Sequence, residues 1–357
     1  MILVGVFHAA ALASAETAQK SIAIIATGGT IAGVSTSDGG AYRSGAVGVD
    51  AMLDAVPHLR DLARFTTVQV SNIGSQDMTD EAWLALGAEI KKQIEANHVD
   101  GVVVTHGTDT LEETAFFLDM TFPSTVPIVL TAAMRPSDAL GADGPSNLLD
   151  AVRTALSPNA RRLGVLVVTN GAIHSARRVT KSHTENVGAI ASRNGGLLGE
   201  IVEAKPEFYR PLPKRPESKG KRLAIPATLS RVDIILSYAD VDPAIVDFFV
   251  ERGAKGLILA GVGNGNTRKP MIDALARASA AGIIVVRSSR LMDGWVSRNI
   301  EIDDDALGFV AARDLNPAKA RVLLKFALEK TRDPAAIQRW FDCPAPTASG
   351  ECLDGAN

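Results

Sequence analysis

The sequence predicts an α/β fold, with a larger N-terminal domain on a mostly parallel, doubly wound sheet and a smaller C-terminal α/β domain. Three observations predict it. Short apolar runs of strand length alternate with longer stretches of helical period, the pattern of parallel strands joined by right-handed crossovers. The turns after those runs are rich in Gly, Asn, Ser and Thr, which places the ligand-binding candidates on one edge of the sheet. Residues 204–221 (AKPEFYRPLPKRPESKGK) hold four prolines and many charges with no apolar period, a composition that reads as an interdomain linker. At 357 residues the chain has the length of about two domains. The expected division sets 1–15 apart, then runs 21–203 as N-terminal domain, 204–228 as linker and 229–357 as C-terminal domain.

Composition narrows the classes of partner. The chain is 46% hydrophobic and 22% charged, with a formal net charge of −3 and a sequence pI near 6.1. Without a Lys/Arg block, nucleic acid finds no electrostatic footprint. No apolar run reaches the ~18 residues that would argue a spanning helix. The opening MILVGVFHAAALASAET reads as a secretory signal peptide, an apolar stretch followed by Ala13-Ser14-Ala15 as a cleavage site, although no Lys or Arg precedes the apolar run. In an oxidising compartment the two cysteines, Cys343 and Cys352, can pair and close a short loop worth ~2–3 kcal/mol. Two cysteines with no nearby histidine make no recognisable metal site.

The elements follow in order. Residues 22–26 form an apolar run too short for a core helix, hence a buried strand. It ends in Thr27-Gly28-Gly29-Thr30, where adjacent glycines let the main chain turn and let a ligand approach it. Residues 34–50 are rich in Ser, Gly and Asp without periodicity, a surface loop of the kind that acts as a lid, with Tyr42 inside it. A strand at 67–73 leads into Gly74-Ser75-Gln76-Asp77, and 80–97 is helical with an acidic first turn. The strand 102–104 repeats the first grammar. It ends at Gly107, followed by Thr108, Asp109 and Thr110, and Thr110 with Glu113 makes a capping box for a helix over 111–120. Strands at 126–131 and 163–168 flank a helix at 145–156. Beyond the linker the order is strand 232–237, helix 243–252, strand 256–260, helix 270–281 and strand 283–286, then helices near 317–330 and 334–341, read as a smaller doubly wound unit.

The two strand-end motifs, ATGGTIAG at 26–33 and HGTDT at 106–110, resemble the signature of bacterial-type L-asparaginases, of the periplasmic kind within the asparaginase/glutaminase family. The match continues through NIGSQDM at 72–78, AMRP at 133–136, ADGPSNL at 142–148, VTK at 179–181, AGVGNGN at 260–266 and NPAKARVLL at 316–324. Nearly all the chain beyond residue 20 is covered.

The resemblance implies hydrolysis of L-asparagine to L-aspartate and ammonia, with no cofactor, by a homotetramer whose sites are shared between subunits. Its catalytic residues carry over as Thr30, the nucleophile, with Tyr42 close by at a spacing from Thr30 one residue shorter than usual. Thr108, Asp109 and Lys181 form a second constellation for orienting water or relaying protons. A threonine hydroxyl is a weak nucleophile and needs an activating neighbour. A lysine serves as base only in its neutral form, which burial favours and an adjacent carboxylate opposes. For the substrate's ammonium, Asp109 and Glu301 are suited, Glu301 reaching a neighbouring subunit's site with Asn266 beside it. Gly74, Ser75 and Gln76, with turn N–H groups, suit its carboxylate. Taken alone, Lys181 is an ordinary surface lysine, Glu301 part of a solvated acidic run, and His106 and His174 packing or loop residues. Two further readings are weighed: a glutaminase-asparaginase using both amides, and an exported amino-acid-binding protein, which would share the export segment and strand-end turns but have no need for Thr30 facing Thr108 with Lys181.

Overall fold

The computed structural model describes residues 19–36, 42–122, 125–209 and 223–343. The export segment expected at 1–15 lies outside the described residues. Strand Ser21–Gly28 is buried along nearly its whole length because both faces of the sheet are covered. Ile22, Ile24 and Ala26 point into one core and Ala23 and Ile25 into the other, the arrangement that lets a parallel strand be apolar throughout. Helix Gly144–Leu156 packs on the first face. Helices Asp80–Glu95 and Leu111–Thr121 pack on the second.

The large sheet has eight strands in the spatial order Lys205–Phe208, Gly199–Val202, Ala172–Ser175, Val165–Thr169, Ile128–Thr131, Gly101–Thr105, Ser21–Gly28, Arg64–Ile73. The last five of these pair in parallel and the first three antiparallel. Strand order reverses between Ser21–Gly28 and Gly101–Thr105, so their crossover helices leave to opposite faces and a crevice opens at their carboxyl ends. Residues 205–208, expected to belong to the linker, form a strand. Lys205–Phe208 is an edge strand paired with Gly199–Val202 through Pro206, which stands where an edge strand tolerates the missing N–H.

The second sheet runs Val232–Leu236, Gly256–Gly261, Ile284–Ser289, Phe309–Ala311, all parallel and in sequence order. It has no reversal and therefore is not doubly wound, against expectation. Helices Ala244–Glu251 and Lys269–Ala280 cover one face, while Pro317–Leu328 and Pro334–Phe341 pack on the other. Helix Pro317–Leu328 also contributes to the N-terminal core: Phe326 stacks on Phe117 at 5.3 Å, and Phe117 on Trp83 at 5.5 Å. The two domains share this apolar cluster. At ~1.5–3 kcal/mol for each buried large side chain, docking is as much a part of folding as either sheet.

Candidate active site

Three turns meet at the carboxyl ends of three adjacent parallel strands. After Ser21–Gly28 the chain turns through Gly29 at φ 81° into a short 3₁₀ turn, Thr30–Ala32. A Cβ on Gly29 would lie 2.5 Å from the Gly107 Cα, so the first and third turns touch backbone to backbone. The Gly29 N–H donates to the Ile73 carbonyl at 2.9 Å, which ties in the second. A Cβ on Gly107 would in turn stand 2.6 Å from Ser75 Oγ. Both glycines are required by close approach, and together they bring Thr30, Ser75 and Thr108 into one buried layer.

Ser75 opens the 3₁₀ turn Ser75–Asp77, with Gly74 before it. Its Oγ accepts the Asp109 N–H at 3.0 Å, which leaves its own proton for another acceptor. Its carbonyl accepts the Thr110 hydroxyl at 2.7 Å. This last bond corrects the expected capping box. Thr110 is the residue before helix Leu111–Thr121, but its side chain makes no cap bond because the hydroxyl is turned to Ser75. Gln76 is exposed and its amide donates to Asp77 at 3.3 Å.

Lys181 arrives from a separate two-stranded ribbon, Val179–Lys181 paired with Ile190–Ser192. Its Nζ donates to Thr108 Oγ1 at 2.9 Å and to Asp109 Oδ1 at 2.6 Å. Thr108 is buried, while the Asp109 carboxylate is half exposed. Such a cluster can pass a proton between lysine and hydroxyl while a carboxylate faces an incoming cation.

Behind it His106, expected to be a packing or loop residue, is fully buried in a hydrogen-bonded chain. Trp83 Nε1 donates to Thr114 Oγ1 at 2.8 Å, that hydroxyl lies 2.9 Å from His106 Nε2, and His106 Nδ1 lies 2.7 Å from the Gly107 carbonyl. A carbonyl only accepts, so Nδ1 carries the proton and Nε2 accepts from Thr114. Burial pushes the imidazole down to about 4, neutral at pH 7.

The remaining candidates divide. Within the loop expected at 34–50, Val34–Ser35 pairs with Tyr42–Arg43 as a small ribbon, and the helix Val49–Asp54 begins. Residues 37–41 and the Tyr42 side chain lie outside what is described. The base of this segment is pinned by Asp138, which accepts from the Ser35 N–H at 2.8 Å. Asn266 and Glu301 sit in the C-terminal domain, and no hydrogen bond among the described residues joins either side chain to the cluster. Both belong to one framework, missed in the sequence, around the fully buried Arg287. It pairs with Asp304 at 2.6 Å and donates to the carbonyls of Asn264, Gly265 and Ser297. The acidic run is therefore no uniform solvated face. Asp303 caps a helix, Asp304 is buried under Arg287 and Asp305 pairs with Arg298. Glu301 is exposed, with no hydrogen-bond partner among the described residues.

No described helix is long and apolar enough to cross a membrane. Cys343 is buried and disulfide-bonded, and Cys352, the second cysteine of the sequence, lies outside the described residues.

Comparison with known proteins gives two family matches. The model "Asparaginase, N-terminal" matches residues 21–214 and "Glutaminase/Asparaginase C-terminal domain" matches residues 231–341. L-asparaginase 2 of Escherichia coli K12 is 44% identical over 330 residues, 92% of this chain and 94% of its own. A probable periplasmic L-asparaginase of Haemophilus influenzae is 42% identical, covering 90% of this chain and 92% of its own. The crystal structure of a probable cytoplasmic L-asparaginase from Campylobacter jejuni superposes with a TM-score of 0.83 at 43% identity, over 90% of this chain and 99% of that one. With both domain models matched in order over almost the whole described chain, the protein belongs to the asparaginase family.

Proposed function

We propose that the protein hydrolyses L-asparagine to L-aspartate and ammonia, with L-glutamine a weaker substrate. The observation that carries this reading is the Lys181 ammonium bonded to both Thr108 and Asp109, one strand away from Thr30. Thr30 Oγ attacks the side-chain amide carbon and gives up its proton; the C–N bond breaks, ammonia leaves with that proton, and an ester remains on Thr30. Thr108, with Lys181, orients the water that cleaves the ester, and Tyr42 stands near the nucleophile. Asp109 and a neighbouring subunit's Glu301 hold the α-ammonium, with Asn266 beside them. Ser75, whose proton is uncommitted to Asp109, holds the α-carboxylate with Gly74 and Gln76. No metal or cofactor is needed for these steps.

Steady-state ammonia release from asparagine and glutamine tests the reading. Turnover of asparagine with lower efficiency on glutamine is expected. Equal efficiency would favour the glutaminase-asparaginase reading, which the name of the matched C-terminal model also supports. Binding without ammonia release would favour an amino-acid-binding protein.

Export belongs to the same proposal, supported by the bonded Cys343 and by the periplasmic naming of the Haemophilus relative; the Campylobacter structure is named cytoplasmic. Cleavage after Ala15 should leave Glu16 as the first residue, and a retained Met1 in secreted material would refute it. A shared-site homotetramer is tested by subunit exchange. Mixing Thr30→Ala with Glu301→Ala subunits should restore activity that neither has alone.

A further inference from the structure

The ribbon that carries Lys181 belongs by sequence to the N-terminal domain, yet the C-terminal domain holds it at three points. Arg177 pairs with Asp314 through bonds of 2.8 and 2.6 Å. Arg193, just past the second ribbon strand, donates to the carbonyls of Leu291, Met292 and Asp314. Between them Lys319, fully buried in the first turn of helix Pro317–Leu328, donates to the Val179 carbonyl and to Glu112 Oε2, the latter at 3.0 Å. Asn316, the cap of that helix, donates to the same carboxylate oxygen at 3.0 Å.

These contacts close a ring. Glu112 lies three residues after Asp109, and Val179 two residues before Lys181 on the same side of its strand. Lys319 grips both segments that bear the cluster, one through the Val179 carbonyl and the other through the Glu112 side chain, and Lys181 meets Thr108 and Asp109 where the ring closes. We propose that Lys319 is a positioning residue. Through Glu112 and the Val179 carbonyl it sets how far Lys181 stands from Thr108 and Asp109, so docking of the C-terminal domain completes the site. A fully buried ammonium persists only because a carboxylate and a carbonyl meet it, and Glu112 opposes the downward push that burial exerts on Lys319.

The inference rests on the functional reading above for its kinetic test but has a second test independent of it. Lys319→Met leaves the largely covered Glu112 carboxylate without its lysine, so the informative variant is Lys319→Met with Glu112→Gln, which keeps an acceptor for Asn316. In this double variant kcat should fall about 100-fold, the loss expected of a misplacement of ~1 Å. KM should change less than about threefold, since uniform binding is untouched, and melting should match wild type. Wild-type kcat in either folded variant overturns the proposal. Hydrogen exchange on the wild-type protein needs no variant to fold. Amides at 180–182 and 190–193 should be protected to the level of helix 317–328, and a ribbon exchanging freely beside a protected helix overturns the proposal. Wild-type protein inactive on both amides would sink the functional reading, while the exchange measurement would still decide this one.

Discussion

Thr30 and Thr108 stand at the ends of neighbouring strands and are held by different physics. The turn that carries Thr30 is shaped by main chain: a buried strand, Gly29 at positive φ, and a backbone contact with Gly107 that leaves no room for a side chain. Thr108 is placed by side chains from far along the sequence, with Lys181 at its hydroxyl, Ser75 beneath Asp109 and the His106 chain under Gly107. One half of the site is thus built by close backbone packing of neighbouring strand ends within one sheet. The other half is a property of the assembled molecule and should be the more sensitive to domain docking, to pH and to remote substitution.

The largest effect should break the backbone-built half. Thr30→Ala is expected to lower kcat on asparagine by about 10⁴-fold or more, as removal of a covalent nucleophile does, while the circular dichroism spectrum and melting stay near wild type. Near-normal turnover would remove Thr30 from the mechanism. Next, Lys181→Met should lower kcat by ~10²–10⁴, the span of general acid–base contributions. Because Lys181 does not hold the Gly29 turn, a Thr30-directed diazo-ketone analogue of asparagine should still bind, and loss of binding as complete as loss of turnover would show the halves to be one unit.

Acid should loosen the Thr108 side first. His106 and His174 are pushed down to about 4 by burial, whereas the unfolded chain takes up those protons near pH 6.5. The unfolded state therefore binds more protons across this window, and stability is full above about pH 6.5 and falls towards pH 4, by on the order of 3 kcal/mol per histidine at full extent. Glu113, pushed up by burial, works in the opposite sense. Denaturant midpoints measured against pH check this, and His106→Gln should flatten the acid limb; an unchanged slope would mean His106 is not the proton acceptor. The smallest effect sharpens the comparison. Thr110→Val removes one hydroxyl bond to the Ser75 carbonyl and should cost about 1 kcal/mol, with kcat within a few-fold. Thr110→Ser should be near neutral, since the same donor remains.

The sheet was readable because its strands announce themselves. Runs such as 22–26 and 102–104 are apolar at every position, which only a strand covered on both faces requires. The strand-end turns were readable for a related reason: glycine followed by threonine at the end of a buried run marks where the main chain bends sharply and presents a hydroxyl. What misled was local chemistry with a distant competitor. Thr110 and Glu113 spell a capping box, and the hydroxyl goes instead to a carbonyl 35 residues away. Residues 204–221 spell a linker, and four of them are recruited as an edge strand because Gly199–Val202 offers an unpaired ladder.

Periodicity and turn chemistry act within a few residues. The chain alone therefore carries the alternation of strands and helices, the layer in which Thr30, Ser75 and Thr108 lie, and the residues matching the asparaginase motifs. The rest exists only in the folded molecule. Lys181 reaches Thr108 across 73 positions, and His106 becomes a neutral donor to Gly107. Arg287 binds the loops of Asn266 and Glu301 together, and Lys319 ties one domain to the other. One cause underlies all four. A buried polar or charged group must find partners wherever the fold has brought them, and nothing in the neighbouring sequence says where that is.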